Sequence, residues 1–296
     1  MKTYLSPAKI NLGLKILSRR SDGYHNLESI FLKLGWGDEI AFEDSASFEL
    51  ESENLLPDSR KEEFEKVSER GNPEKNLLFK TFLFCRELKP EIQGVRIHLK
   101  KRIPPGGGLG GGSSNAAILI RNFFRSEEFT EDFLKKVSGL GADIPFFLLD
   151  SHAYVTGIGE VLEPLEISSG YGILVFPDLN VSTGEAFQAL KKPLQETGSL
   201  ESCKSVPEDL LNLVRSGDWS GMDARIQNDF EPFVLGKFPD LALLKNEMLQ
   251  SGLEFVSMTG TGSTFYGLVK EFGVLPGVIS RLKSKFSKYQ VIDFHF

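Results

Sequence analysis

Residues 104–115 read Pro-Pro-Gly-Gly-Gly-Leu-Gly-Gly-Gly-Ser-Ser-Asn, with six glycines between Gly106 and Gly112. Glycine backbone enters φ > 0 freely and lets a ligand come close, at an entropic cost that packing alone does not offset. Val95 to Lys101 alternates apolar and polar residues, which predicts a half-buried strand leading into the loop. A helix is predicted from about Ser114 to Phe124. Ala116, Ala117, Ile120, Phe123 and Phe124 form its buried face, and Ser113 or Ser114 its N-cap. Strand, glycine loop and helix aim backbone N–H groups and the positive helix end at one point. That is an anion site, and phosphate is the usual anion. Ser113 and Ser114 add hydroxyl donors, or sit near a Mg²⁺ carried on phosphates. The plain alternative is a flexible loop or a close helix–strand contact.

Known phosphate loops divide sharply on this sequence. A Walker A loop ends in Gly-Lys-Ser/Thr, whereas Gly112 is followed by Ser113. A G-x-G-x-x-G match at Gly106, Gly108 and Gly111 is nearly automatic in a run of glycines. Glu127 and Glu128 stand about 20 residues on, where a ribose-binding acid belongs, but in the polar turn SEEFTED. A dinucleotide-dependent oxidoreductase therefore stays open as a competing reading. No H-R-D or D-F-G follows, so the protein-kinase set is excluded.

Along the chain, residues 3–17 read as a strand interrupted at Pro7, and 27–42 as another. The acidic stretch 43–75 reads as a surface excursion with one short helix, Arg60 to Glu69. Asn76 to Leu88 has helical spacing, as does Thr130 to Ser138, which ends at Gly139 or Gly141. Tyr171 to Phe176 reads as a strand. Beyond it, helices near 183–191, 206–215 and 239–251 alternate with strands near 254–258, 264–270 and 289–295. A boundary near 155–170 divides the chain into domains 1–162 and 163–296, a usual count for 296 residues.

The formal charge of −7 argues against a nucleic-acid partner. Two basic clusters, Lys15 to Arg20 and Lys100-Lys101-Arg102, are either pockets for a phosphorylated ligand or solvated strand ends. Cys85 and Cys203 lie in no metal-binding pattern and fit a reducing, cytoplasmic location. No apolar run approaches the ~20 residues of a membrane span, so no membrane association is expected. Nor is a resident metal site. Oligomeric state is left as monomer or homodimer.

Two polar residues sit in apolar settings. Asp143 precedes Ile144-Pro-Phe-Phe-Leu-Leu149, and a lone carboxylate there is costly unless paired or functional. It is either a turn Asp or a general base. Lys9 lies in an apolar strand beside Asn11. It either snorkels to the surface or stays buried and holds a carboxylate ionised.

Pro104 to Ala117 closely resembles the second motif of the galactose, homoserine, mevalonate and phosphomevalonate kinase superfamily. Ser6-Pro-Ala-Lys-Ile-Asn-Leu12 resembles its first motif, and Thr259-Gly-Thr-Gly-Ser263 its third. Arg20-Ser-Asp-Gly-Tyr-His-Asn-Leu-Glu28 and Leu140-Gly-Ala-Asp-Ile-Pro-Phe-Phe-Leu148 narrow the likeness. Both resemble stretches of the 4-diphosphocytidyl-2-C-methyl-D-erythritol kinases. The resemblance implies an α+β fold of two domains, the first like the second domain of ribosomal protein S5, the second ferredoxin-like, with the active site in a cleft between them. It implies ATP and Mg²⁺ as cofactors. Pro104, Pro105, Gly106, Gly107, Gly108, Leu109, Gly110, Gly111, Gly112, Ser113, Ser114 and Asn115 would hold the nucleotide. Lys9 and Asp143 would be the catalytic couple. The implied substrate is a cytidine diphosphate-linked methylerythritol. Tyr24 and Phe187 would stack on its cytosine, His25 would bond the base edge, Thr183 would assist, and Asn11 would contact the polyol. On residues alone, Tyr24 is equally a turn cap and Phe187 a helix-core residue. Homoserine or mevalonate as acceptor, or a non-catalytic nucleotide sensor, are the alternatives within this fold.

Overall fold

The computed structural model describes residues 2–56, 75–190, 194–195, 206, 208–222 and 225–296. The chain forms two compact units that interleave in sequence. One comprises residues 1–8, 35–105 and 109–150, the other 9–34, 106–108 and 151–296. Two long strands, β1 (Thr3–Arg20) and β2 (His25–Asp44), contribute residues to both units.

In the first unit, β2 pairs antiparallel with β4 (Val95–Lys101), setting Ile40 opposite Leu99 and Phe42 opposite Ile97. β3 (Phe48–Asn54) adds to β4 in parallel. Helices α1 (Leu77–Leu88) and α2 (Gly111–Phe123) supply Leu78, Phe82 and Leu119 to a core with Ile40, Val95, Ile97 and Leu99. The Asn76 side chain caps α1 by accepting from Leu78 N. α3 (Glu131–Ser138) and the short α4 (Ile144–Leu148) complete the unit. Every residue of α4 is buried, which is why so apolar a run follows Asp143.

In the second unit, β2 pairs with β5 (His152–Thr156), which pairs with β6 (Val161–Leu165). The two-residue β8 (Leu194–Gln195) runs parallel to the end of β1. A separate antiparallel sheet is ordered β11 (Gln290–His295), β7 (Tyr171–Phe176), β10 (Phe265–Val269), β9 (Phe255–Met258). Against it pack α5 (Thr183–Leu190), α7 (Glu231–Lys237), α8 (Pro239–Gln250) and α9 (Leu275–Lys285), through Ala186, Val234, Leu244, Met248 and Val278. α6 (Glu208–Ser216) buries Leu210, Leu211 and Val214. β10 is buried on both faces, as the alternation-free run Phe-Tyr-Gly-Leu-Val requires of a central strand. The fold is mixed α+β. No described helix is long and apolar enough to cross a membrane.

Several expectations need correction. Pro7 does not interrupt β1. The chain passes it straight because Gly37 on β2 has no side chain: a Cβ there would lie 2.0 Å from the Ser6 carbonyl oxygen and 2.8 Å from the Pro7 Cα. The acidic stretch is not wholly an excursion, since Phe48 to Asn54 is β3. Its apolar and charged residues alternate, and Arg96 on β4 pairs with Glu49 at 2.8 Å. The helix expected at 60–69 lies outside the described residues, as does Cys203. Cys85 is buried, and burial pushes its thiol up to about 12, so it behaves as a small apolar residue. β5, β6, α7 and α9 were not foreseen.

Gly37→Ala should overpack the β1–β2 contact and lower stability by about 1–3 kcal/mol in urea unfolding; a change near zero would contradict the close approach. His152 accepts from Lys33 N at 3.1 Å. Burial first, then the Lys33 cation, push its pKa down from 6.5 to about 4. The unfolded chain takes up a proton near pH 6.5 and the folded chain only near 4. Stability from this site is therefore complete above pH 6.5 and falls as the pH drops toward 4, by at most about 3 kcal/mol. His152→Gln should flatten that slope in melts run across this window, and an unchanged slope would count against the assignment.

Candidate active site

The glycine loop reaches its shape through three left-handed glycines, Gly106, Gly108 and Gly110, with φ of 72°, 72° and 71°. Gly110 is the N-cap of α2 and brings no side-chain cap. This corrects the expectation of Ser113 or Ser114 at that position: the left-handed glycine lets the helix begin at Gly111, so both serines lie inside its first turn. The first N–H groups of a helix have no partner within it, and an N-cap without a side-chain acceptor leaves them available to an anion. Ser114 is buried, and its hydroxyl accepts from Ser6 Oγ at 2.9 Å. Ser113 is only half-buried.

Also in the first unit, Asp143 is half-buried at the N-terminus of α4. The segment before it lies against the start of α2, where a Cβ at Gly141 would stand 3.7 Å from Ser113 Oγ. The Lys100-Lys101-Arg102 cluster is not an open basic pocket. Lys101 is buried and bound to Asp38 at 2.5 Å, while Arg102 and Lys100 approach Glu39 at 2.6 and 3.7 Å. Of the other cluster, Lys15 and Arg19 are exposed.

In the second unit the first and third motifs meet. Lys9 is 4% exposed, so it does not snorkel. Its ammonium donates to Asn11 Oδ1 at 2.7 Å and lies 4.4 Å from the centre of the Phe31 ring. The same Asn11 oxygen accepts from Gly260 N at 3.1 Å, and Asn11 Nδ2 donates to Ser29 Oγ at 3.2 Å. Asn11 N donates to Thr259 Oγ1 at 3.0 Å, and Tyr266 OH donates to the Asn11 carbonyl at 2.9 Å. Gly108 and Gly260 approach backbone to backbone. A Cβ on Gly108 would lie 2.7 Å from the Thr259 carbonyl oxygen, and one on Gly260 2.8 Å from the Gly108 Cα. Asn228 clamps the third motif from behind, donating to the carbonyls of Met258 and Gly260, both at 2.8 Å.

Next along this unit, Thr261 of the third motif contacts Thr183, with 3.3 Å between hydroxyls. One turn on in α5, Phe187 packs on His25 with ring centroids 4.6 Å apart and planes tilted by 33°. Phe187 is also half-buried against the core. Burial, and then Arg19, lower the His25 pKa. The imidazole is thus neutral near pH 7, with one nitrogen donating and the other accepting. Tyr24 sits at the tip of the β1–β2 hairpin. Its backbone closes the turn, with Tyr24 O accepting from Arg20 N at 2.8 Å. The residue is 59% exposed. Lys9, Asn11, Thr183, His25 and Phe187 therefore belong to one chain of contacts within this unit.

Asp38, Ser29 and Asn228 were missed. Asp38 had a signal, as a lone carboxylate within the apolar strand KLGWGDEIAF. Asn228 had none.

The description "GHMP kinases N terminal domain" fits residues 76–150. A 4-diphosphocytidyl-2-C-methyl-D-erythritol kinase from Leptospira interrogans is 43% identical over 296 residues, covering 99% of this chain and all of that protein. The crystal structure of a 4-(cytidine 5'-diphospho)-2C-methyl-D-erythritol kinase superposes with a TM-score of 0.74 at 29% identity, covering 99% of this chain and 98% of that one. L. major mevalonate kinase, solved with R-mevalonate, shares the fold at a TM-score of 0.66 and 11% identity, covering 100% and 95%. With likeness of that strength running from end to end, this chain is a kinase and belongs to the 4-diphosphocytidyl-2-C-methyl-D-erythritol kinase family, within the GHMP kinases.

Proposed function

We propose that this enzyme transfers the γ-phosphoryl group of ATP to the 2-hydroxyl of 4-diphosphocytidyl-2-C-methyl-D-erythritol, giving the 2-phosphate and ADP, a step of the non-mevalonate isoprenoid precursor pathway. The full-length likeness to proteins named for that substrate carries the reading. The residues support it. Backbone N–H groups at the start of α2 suit a triphosphate. Among the described residues no group of three or more His, Cys, Asp or Glu is placed to hold a metal alone. Ser113, half-buried in the first turn of α2, offers a hydroxyl oxygen to a Mg²⁺ brought in on the phosphates; when bound, the ion would neutralise phosphate charge.

In the reaction, the Asp143 carboxylate takes the proton of the acceptor hydroxyl. The oxygen forms a bond to the γ-phosphorus, and the bond from that phosphorus to the bridging oxygen breaks, leaving the electron pair on ADP. Lys9, buried and oriented by Asn11, supplies fixed positive charge for the developing anion. Asn11 itself is 2% exposed with its amide oriented inward, so its role is more to aim Lys9 than to grip the polyol. Tyr24 and Phe187 stack on the cytosine, and neutral His25 offers a donor and an acceptor to its edge. Thr183 stands one turn from Phe187. Two cysteines in 296 residues is the sparse usage of a reducing compartment, and the cytoplasm is the place of action in this reading.

A coupled ADP-release assay across the cytidyl substrate, homoserine and mevalonate tests the whole reading. Turnover with the cytidyl compound alone is expected; preference for either other acceptor, or no turnover, refutes it. Asp143→Ala should lower kcat by more than about 10²-fold while ATP still binds, and near-normal turnover would remove the base assignment. Tyr24→Ala should raise KM for the cytidyl substrate about 5- to 150-fold, matching the 1–3 kcal/mol of a base stack, with KM for ATP unmoved. An unchanged cytidyl KM would exclude Tyr24 from the base pocket.

A further inference from the structure

The glycine loop is held at both ends by one carboxylate. Asp38 on β2 is fully buried. Its Oδ1 accepts from the backbone N–H groups of Arg102 and Ile103, at 2.7 and 2.8 Å. Its Oδ2 accepts from Lys101 Nζ at 2.5 Å and from Asn115 Nδ2 at 3.0 Å. Residues 101–103 lead into the glycine run, and Asn115 is the fifth residue of the helix that follows it. We propose that Asp38 is the positioning residue of the phosphate loop, fixing the strand exit and the helix start relative to one another so that the helix N–H groups are pre-aimed. This rests on the reading of residues 104–115 as the nucleotide loop.

Three observations converge. First, a glycine-rich loop is costly to order, and fixing its ends beforehand reduces what the nucleotide must order on binding. Second, the tie is made at the expense of other bonding. Because Asn115 turns its donor to Asp38, its own Oδ1 is left buried without a hydrogen-bond partner. Buried acceptors are seldom left so, which marks the tie as specified by the fold. Third, the glycines accommodate it. A Cβ on Gly111 would lie 2.9 Å from Lys101 Nζ and from Ile103 Cγ2. Gly111 is therefore bare because the pair sits directly beneath the first helical turn. Burial lowers the Lys101 pKa, with Asp38 opposing. A buried ion pair of this kind adds little net stability compared with apolar residues of the same volume, so its geometry is its distinguishing property.

The experiment is binding of the non-hydrolysable analogue AMP-PNP by calorimetry, together with steady-state kinetics, on the full chain. Asn115 is 3% exposed with its amide donor on Asp38, so Asn115→Ala removes the helix-side tie, and Asp38→Asn, at a residue outside 104–115, separates that tie from any direct contact of Asn115 with the nucleotide. Asn115→Ala should raise both the Kd for AMP-PNP and KM for ATP about tenfold, with KM for the alcohol substrate within twofold of wild type. Asp38→Asn should act in the same direction and more strongly; should it fail to fold, Asn115→Ala decides alone. A folded Asn115→Ala protein that melts earlier yet binds AMP-PNP as tightly as wild type overturns the inference, reducing the network to a stabilising one. Failure of wild type itself to bind AMP-PNP would instead remove the nucleotide reading, and this inference with it.

Discussion

One amide joins the first and third motifs within the second unit. Asn11 Oδ1 accepts both the Lys9 ammonium and the Gly260 N–H, while Asn11 Nδ2 is committed to Ser29. An Asn side chain has a single oxygen and cannot reverse its ends without losing the bonds from Lys9 and Gly260. The lysine and the third motif are thus set by the same atom. An ammonium 4% exposed needs such a partner, since an unpaired buried charge is heavily penalised. The contact between Gly108 and Gly260 adds a second constraint of a different kind. It is steric, and it leaves no room for a side chain on either residue.

The sequence disclosed the parts that follow local rules. Val95 to Lys101 alternated and is a strand with those bounds, and Asn76 caps the helix that its spacing announced. The glycine loop was recognisable because six glycines serve few purposes other than close approach. Local rules failed where a distant residue decides. Pro7 is a strand breaker by itself, yet the strand runs through it beside the bare Gly37, thirty positions on. The N-cap moved to Gly110 because a left-handed glycine ends the loop there, a conformation that neighbouring serines do not reveal. β3 is the reverse case, since Phe-Glu-Leu-Glu-Ser-Glu-Asn carries a period of two and the surrounding acidity obscured it.

The candidate site divides similarly. Lys9 and Asp143 stood out as charges among apolar neighbours, and Tyr24 and His25 came through resemblance. The supports did not stand out. Asn228 and Ser29 act on backbone carbonyls, or through another amide, and such work leaves no spacing in the sequence. Lys101 misled, because a run of three cations resembles an open basic patch until Asp38 and Glu39 are brought beside it.

The interleaving of the two units bears on how the chain is made. Residues 9–34 leave the ribosome early, yet the strand and the glycine motif that complete their surroundings, β5 and residues 259–263, come more than a hundred positions later. During synthesis the first hairpin must wait with its edges and its lysine uncovered. Pairings of such long range form slowly, and exposed strand edges invite association with other chains. The order of the chain thus sets an interval during synthesis in which Lys9 and the edge of β2 lack the partners that later cover them.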